Sequence, residues 1–164
     1  MAQISNEVLH KEIDLIQACI SRMAHNSFLI KGWTISLVAV VLALGDKVAN
    51  ISLLSFILLI PIISFWYLDA FFLHTEKKYR KIYEWVIVER KKGNEEHLYD
   101  LNPHRKRGNI NLDDVGTIRD VMFSITLKPF YLIPIAMVIL VFFINVFPRA
   151  FEVLKPICCE YFCK

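Results

Sequence analysis

Hydrophobic positions in this chain gather into three nearly uninterrupted blocks instead of the narrow stripes seen on soluble helices. The blocks cover residues 27–45, 51–73 and 129–147. Each has about the 20 apolar residues that an α-helix needs to cross the hydrocarbon core of a bilayer. The pattern therefore predicts an all-α membrane protein with three transmembrane helices.

Residues 1–26 are amphipathic and are predicted to form an N-terminal helix that continues without Pro or Gly into the first span. Apolar side chains recur along it at alternating spacings of four and three, which indicates a helix-packing seam. A seam this short is also typical of an amphipathic helix lying on lipid or on a loop of its own chain. The seam consists of Leu9, Ile13, Ile16, Ile20, Met23, Ser27 and Ile30.

A tight connection is predicted between the first two spans. Gly45, Asp46 and Asn50 supply the turn-forming residues. Residues 27–73 are therefore expected to form an antiparallel transmembrane hairpin.

The second span is predicted to bend and to extend beyond the membrane. Pro61 lies near its middle, where the missing N–H donor favours a kink. No helix breaker follows Leu73 until Gly93. The helix is therefore expected to continue into the segment between the second and third spans, residues 74–128.

A loop rich in Asn, Gly and charged residues is predicted over residues 93–116. A basic triplet in this loop could contact an acidic partner, a phosphate or lipid, although a solvated loop is the commoner outcome of such a charge run. This triplet consists of Arg105, Lys106 and Arg107.

The segment after this loop is expected to return the chain to the membrane. Asp113 or Asp114 could cap a short helix over residues 115–123. The third span, 129–147, carries Asn145 near its outer end, where the amide could bond across helices or reach the headgroups.

Asp69 is the most informative residue of the spans, because its position in the second span places a carboxylate near hydrocarbon. Such a group normally pairs or faces water or protein, and Lys31 lies at a similar depth on the neighbouring helix. A structural ion pair is the favoured interpretation, and a conduction or gating role is the alternative. The candidates for lining or gating a pore are Asp69, Pro61, Ser55 and Asn145.

The distribution of Lys and Arg predicts the orientation of the spans. Fifteen of the 19 basic residues lie in the N-terminal segment and in the connection between the second and third spans. The positive-inside rule places these segments in the cytoplasm, with the C-terminus outside. The net charge of +3 is too small to indicate direct binding of nucleic acid.

Cysteines cluster in the segment 148–164, where Cys158, Cys159 and Cys163 are found. An external tail would meet an oxidising compartment, so disulfides are expected there, within or between chains, with the pairing left open. Their spacing does not match a zinc site. We expect no metal and no cofactor.

Composition argues against an enzyme. The chain is 55% hydrophobic with a mean hydropathy of +0.44, and little sequence outside the spans remains to build a soluble core. No phosphate-binding glycine loop, GxSxG elbow or HExxH motif occurs.

Because three helices cannot enclose a water-filled path, a pore would require a symmetric homo-oligomer.

Four stretches within residues 12–135 have a distinctive sequence, namely IQACISRMAHNSFLIKGWTISLVAVVLAL, PIISFWYLDAFFLHTEKKYRKIYEWV, DLNP and VMFSITLKPFYL. With these stretches, most of residues 12–135 resemble small bacterial membrane proteins encoded beside nucleotidyltransferase-type genes in anti-phage loci. The chain is similar to the channel-forming effectors of Hailong-type defence systems.

This resemblance implies an inactive inner-membrane oligomer, with a tetramer as the candidate assembly, whose inhibition is released during infection so that it depolarises the host. It also implies an N-terminal plug, for which Glu7, Glu12 and Asp14 are the candidates, and a nucleotidyltransferase-type partner. One alternative is a non-conducting scaffold that recruits a cytoplasmic partner. Another is a two-span effector of an oligonucleotide-signalling system, against which the third span counts.

Overall fold

The computed structural model describes the backbone of residues 5–44, 51–108, 110 and 112–162. Side chains are described over these ranges except at 44, 51, 52, 113 and 145–162. Within the described residues the fold is all-helical and contains no strand. The helices are α1 (Asn6–Leu44), α2 (Ile51–Lys91), α3 (Ile118–Met122) and α4 (Leu127–Phe162), with a 3-10 helix at Leu112–Val115.

The predicted long helices are confirmed. Helix α1 continues from the amphipathic segment into the first apolar block without a break, and α2 runs for 41 residues through Pro61. The kink at Pro61 stays a prediction. Helix α4 begins before the predicted third span and extends beyond it, to Phe162.

Three of these helices, α1, α2 and α4, are long and apolar enough to cross a membrane. Large apolar side chains such as Ile60 and Ile133 are more than 60% exposed, whereas Thr34 and Ser55 are at most 2% exposed. Hydrocarbon solvates apolar side chains and leaves hydroxyls without partners, so this distribution suits lipid and not water. The chain is a membrane protein.

The chain divides into two compact units. The polar unit comprises Met1–Lys31 and Tyr67–Ser124, and the apolar unit comprises Gly32–Trp66 and Ile125–Lys164. In the apolar unit, Trp66 stacks on Tyr131 with ring centroids 5.9 Å apart. Such a parallel contact joins α2 to α4 through two large buried rings.

The core of the polar unit is built from the N-terminal seam. Ile16 of α1 packs against Ile82 and Val86 of α2, and all three are at most 2% exposed. The seam therefore packs on a helix and a loop of its own chain. Partly buried side chains surround this core, namely Leu9, Ile20, Tyr79, Tyr83, Trp85, Leu101 and Leu112.

The expected cap of the short helix is wrong. Helix α3 begins after Thr117, whose hydroxyl accepts from the Asp120 amide while the Asp120 carboxylate accepts from the Thr117 amide. This reciprocal capping box satisfies two backbone donors at once. Asp113 and Asp114 instead lie within the preceding 3-10 helix.

Replacing Ile16 with Ala should destabilise the polar unit by about 2–5 kcal/mol, because it opens a cavity in a packed core. The matched control is Leu15→Ala, since Leu15 precedes Ile16 on α1 and is 41% exposed. The control should cost about 1 kcal/mol or less. Hydrogen exchange of the full chain in detergent micelles measures both, and equal losses would contradict the packing of the seam inside the chain.

Candidate functional site

A buried polar cluster links α1 and α2 in the polar unit through Ser27, Lys31 and Asp69. Lys31 Nζ lies 2.7 Å from Asp69 Oδ2 and donates to Oδ1 at 2.8 Å. The Ser27 hydroxyl donates to the same Oδ1 at 2.5 Å, and Lys31 Nζ also donates to Ser27 Oγ at 2.7 Å. The ion pair expected from the sequence is confirmed.

The spacing on α1 explains this geometry. Ser27 and Lys31 are separated by one helical turn, so both side chains lie on the same face. Asp69 is fully buried, whereas Lys31 keeps 27% of its side chain exposed. The carboxylate is therefore enclosed by its own chain, and a pore-lining role for it stays a prediction.

A second ion pair joins the same two helices nearer the other end of the polar unit. Arg90 donates from Nε and Nη2 to the two carboxylate oxygens of Glu12, both at 2.8 Å. Glu12 is 1% exposed and Arg90 is 5% exposed. Bidentate contact between a guanidinium and a carboxylate is the strongest geometry such a pair can adopt.

The loop after α2 is fastened to this pair. Arg90 Nη1 donates to the carbonyls of Asn94 at 2.5 Å and Glu96 at 3.0 Å. The Tyr99 amide donates to Glu12 Oε1 at 3.1 Å. We call Glu12, Arg90 and these three loop contacts the α1–α2 clamp.

The three residues considered for an N-terminal plug differ in burial. Glu7 and Asp14 are exposed on α1, whereas Glu12 is buried against Arg90. A plug role for Glu12 would require the clamp to open. For Glu7 and Asp14 the role stays a prediction.

The basic triplet of the loop does not act as a single surface. Arg107 is fully buried, contrary to the expected solvated loop, and Nη2 donates to the carbonyl of Asp100. Arg105 is 55% exposed and lies 3.1 Å from the Asp100 carboxylate. Of the three side chains, only Lys106 is exposed without an ion pair among the described residues.

Charge and burial compete at Asp100 and Arg107. Burial lowers the pKa of Arg107 and is opposed by the Asp100 carboxylate. Burial also acts to raise the pKa of Asp100, but the Asn102 amide and the charges of Arg107 and Arg105 outweigh it and hold that pKa below its ordinary value. Ionised Asp100 therefore stabilises the folded loop.

The remaining candidates do not join either cluster. Ser55 is buried in the apolar unit, where Pro61 lies inside α2. Several side chains lie outside the described residues, namely Asn145, Cys158, Cys159 and Cys163.

Sequence reasoning missed Arg90, which served only as a positive charge in the orientation count. A signal was present, because Ile82, Val86 and Arg90 follow one another at intervals of four and so share the buried face of α2. Glu12 has the same spacing from Ile16. A charge that continues an apolar seam is a candidate for a buried ion pair.

Among the described residues, no group of His, Cys, Asp or Glu side chains is arranged to hold a metal ion. Comparison of the chain with models of protein families, with curated protein sequences and with solved structures finds no match.

Glu12→Gln should loosen the clamp, because it removes the charge that compensates Arg90 and replaces an acceptor with a donor. Breaking a buried pair from one side costs about 3–5 kcal/mol. Exchange of the Tyr99 amide should accelerate, as measured by hydrogen exchange in micelles. Asp14→Asn, on the exposed face of the same helix, should leave that rate unchanged; unchanged exchange in Glu12→Gln as well would refute the clamp.

Acid should weaken the loop in the range where Asp100 titrates. A folded-state pKa below the ordinary value of 3.8 means that the stabilisation is fully present above that pH and is lost as pH falls through the lower folded value. Asp100→Asn should therefore be less stable than the wild type at about pH 6, and the difference should shrink at about pH 3. Thermal unfolding across this range measures it, and a constant difference would contradict the assignment.

Proposed function

We propose that this protein is the subunit of a homo-oligomeric ion channel of the bacterial inner membrane, held closed until phage infection and then depolarising the host. The observation that carries the proposal is the double connection of α1 to α2. Both helices run unbroken from the polar unit into the apolar unit. Within the polar unit they are joined by Lys31–Asp69 and by Glu12–Arg90.

This arrangement suits a gate controlled from outside the spans. A continuous helix transmits a shift or rotation at one end along its length. A packed interface between helices switches between discrete arrangements and does not deform continuously. An event that opens the α1–α2 clamp would free α1 relative to α2. The same helices form two of the three candidate spans.

Several chains would be needed to form the conducting path, because three helices do not surround one. The exposed apolar surface of the apolar unit offers contact area both to lipid and to further copies, with side chains such as Phe56 and Phe143 near 60% exposed. The tetramer, the defence role and the plug rest on the sequence resemblance. The orientation, with the N-terminus in the cytoplasm, rests on the distribution of Lys and Arg.

Ion flux through liposomes that contain the purified protein tests this proposal. Wild-type vesicles should leak slowly, and Glu12→Gln should raise the leak by about tenfold or more, because loss of a buried ion pair removes enough free energy to shift a closed gate toward its open state. Glu84→Gln, on the exposed face of α2, serves as the matched control and should behave as the wild type. Asp69→Leu and a truncation lacking residues 1–12 extend the series.

Absence of flux in every one of these proteins would overturn the channel. The expected cellular counterpart is loss of membrane potential, reported by a voltage-sensitive dye, in bacteria that express Glu12→Gln. If those cells kept a normal membrane potential while the vesicles leaked, the leak would be a property of the reconstituted system alone. That result would count against depolarisation of the host.

A non-conducting scaffold is the second candidate, and the order of the loop favours it. Side chains of Asn94, Asp100 and Asn102 accept from backbone amides two residues ahead, at 2.9–3.0 Å. Such turns fix a surface that a partner could bind without large ordering costs. Under this candidate, Arg105→Glu with Lys106→Glu would abolish co-purification of a nucleotidyltransferase-type partner, while no variant would conduct ions.

A further inference from the structure

An open cavity of about 620 Å³ lies within the polar unit. One wall is α2, which contributes His74 and Lys78, and another wall is the loop, which contributes His104 and Lys106. This volume lies within the range of pockets that bind small molecules.

The cavity carries positive charge that no ion pair among the described side chains neutralises. Neither Lys78 nor Lys106 contacts a carboxylate among the described side chains, although other cations of α2 do. Arg80, Lys81 and Arg90 each lie within 3.5 Å of a glutamate oxygen. No described residue that lines the cavity is acidic.

Two further contacts lie at the lining of this cavity. His74 Nε2 lies 3.1 Å from the carbonyl of Gly116, which fixes the imidazole ring at the wall. Asp120, the acid beside Gly116, is held by the amide and hydroxyl of Thr117 at 2.7 and 2.8 Å. Both bonds go to Oδ2, and among the described side chains no ion pair joins this carboxylate to Lys78 or Lys106.

The position of the cavity along α2 indicates the source of the anion. His74 directly follows the apolar block that ends at Leu73, and Lys78 lies about one helical turn later. Cations at this position on a transmembrane helix lie near the level of the lipid headgroups, where anionic lipids attract them.

We propose that this cavity binds a phosphate group, supplied by the headgroup of an anionic phospholipid. Lys78 and Lys106 provide the opposing charge from two walls, and His104 provides a ring N–H donor. The site requires insertion of the chain in a membrane but does not depend on ion conduction. Its failure and the failure of the channel are therefore separate results.

Native mass spectrometry of the full chain, released from detergent micelles, tests the site with phosphatidylglycerol as the probe. The double variant Lys78→Gln/Lys106→Gln should weaken phosphatidylglycerol binding by about tenfold or more. The matched control is Lys77→Gln/Arg105→Gln, which removes the same charge from the neighbouring positions, neither of which lines the cavity. This control should change the affinity less than about twofold.

Equal losses in the two double variants would show diffuse attraction to basic segments and would overturn the cavity. Phosphatidylcholine, which carries a phosphate but no net charge, should bind more weakly than phosphatidylglycerol, and equal binding would overturn the role of the lysines. Inorganic phosphate forms the soluble arm. If it binds the wild type while phosphatidylglycerol does not, the lipid source is wrong.

Folding of the variants is checked by their helical circular dichroism and thermal unfolding. Lys106 is exposed on the loop, so Lys106→Gln alone is expected to fold even if the double variant does not. It should lose part of the phosphatidylglycerol affinity, whereas Arg105→Gln should retain it. Full affinity in Lys106→Gln would overturn the two-walled site.

Discussion

Burial of the Glu12–Arg90 ion pair is the constraint on which the polar unit depends. Moving both charges out of water costs several kcal/mol for each ion, and attraction offsets that cost only where the geometry is good and the remaining donors and acceptors are used. Here both carboxylate oxygens are engaged, and the guanidinium also binds two loop carbonyls. The pair therefore forms only when α1, α2 and the loop after α2 are in place together, which couples the order of three segments to one interaction.

The second ion pair, Lys31–Asp69, sets the register between α1 and α2. Glu12 and Lys31 are separated by nineteen residues on α1, and Asp69 and Arg90 by twenty-one on α2. At 1.5 Å per residue these distances are about 28 and 31 Å, so both pairs can form at once between antiparallel helices. The signs also alternate, with the acid on α1 in one pair and on α2 in the other. A parallel arrangement or a shift by a turn would leave buried charges unpaired, so the two pairs contribute specificity more than net stability.

Periodicity and depth are enough to predict the long helices and one of the two ion pairs that join them. The apolar blocks and the absence of breakers predicted α1 and α2, and the shared depth of Lys31 and Asp69 predicted their pair, because adjacent spans limit the choice. Arg90 and Glu12 are 78 residues apart, and many cations near Arg90 are equal candidates by charge alone. Burial of Arg107 depends on the fold of its loop around Asp100, which no local pattern encodes. The choice of Thr117 over Asp113 or Asp114 as the helix cap depends on where the preceding 3-10 turn ends.

The arrangement of polar side chains in the apolar unit bears on how the proposed channel could open. Thr34 and Ser55 are buried between helices of one chain, while the exposed hydroxyls of Ser36 and Ser64 donate to carbonyls of their own helices at 2.9 Å. As far as the side chains are described, copies associated in this conformation would therefore face one another mainly through apolar groups. A narrow passage with apolar walls excludes water and does not conduct. Association alone would therefore give a closed assembly. Conduction would require α1 and α2 to repack within each chain so that polar groups line the passage. Under the proposed function, opening of the α1–α2 contacts and entry of water into the passage would then occur together.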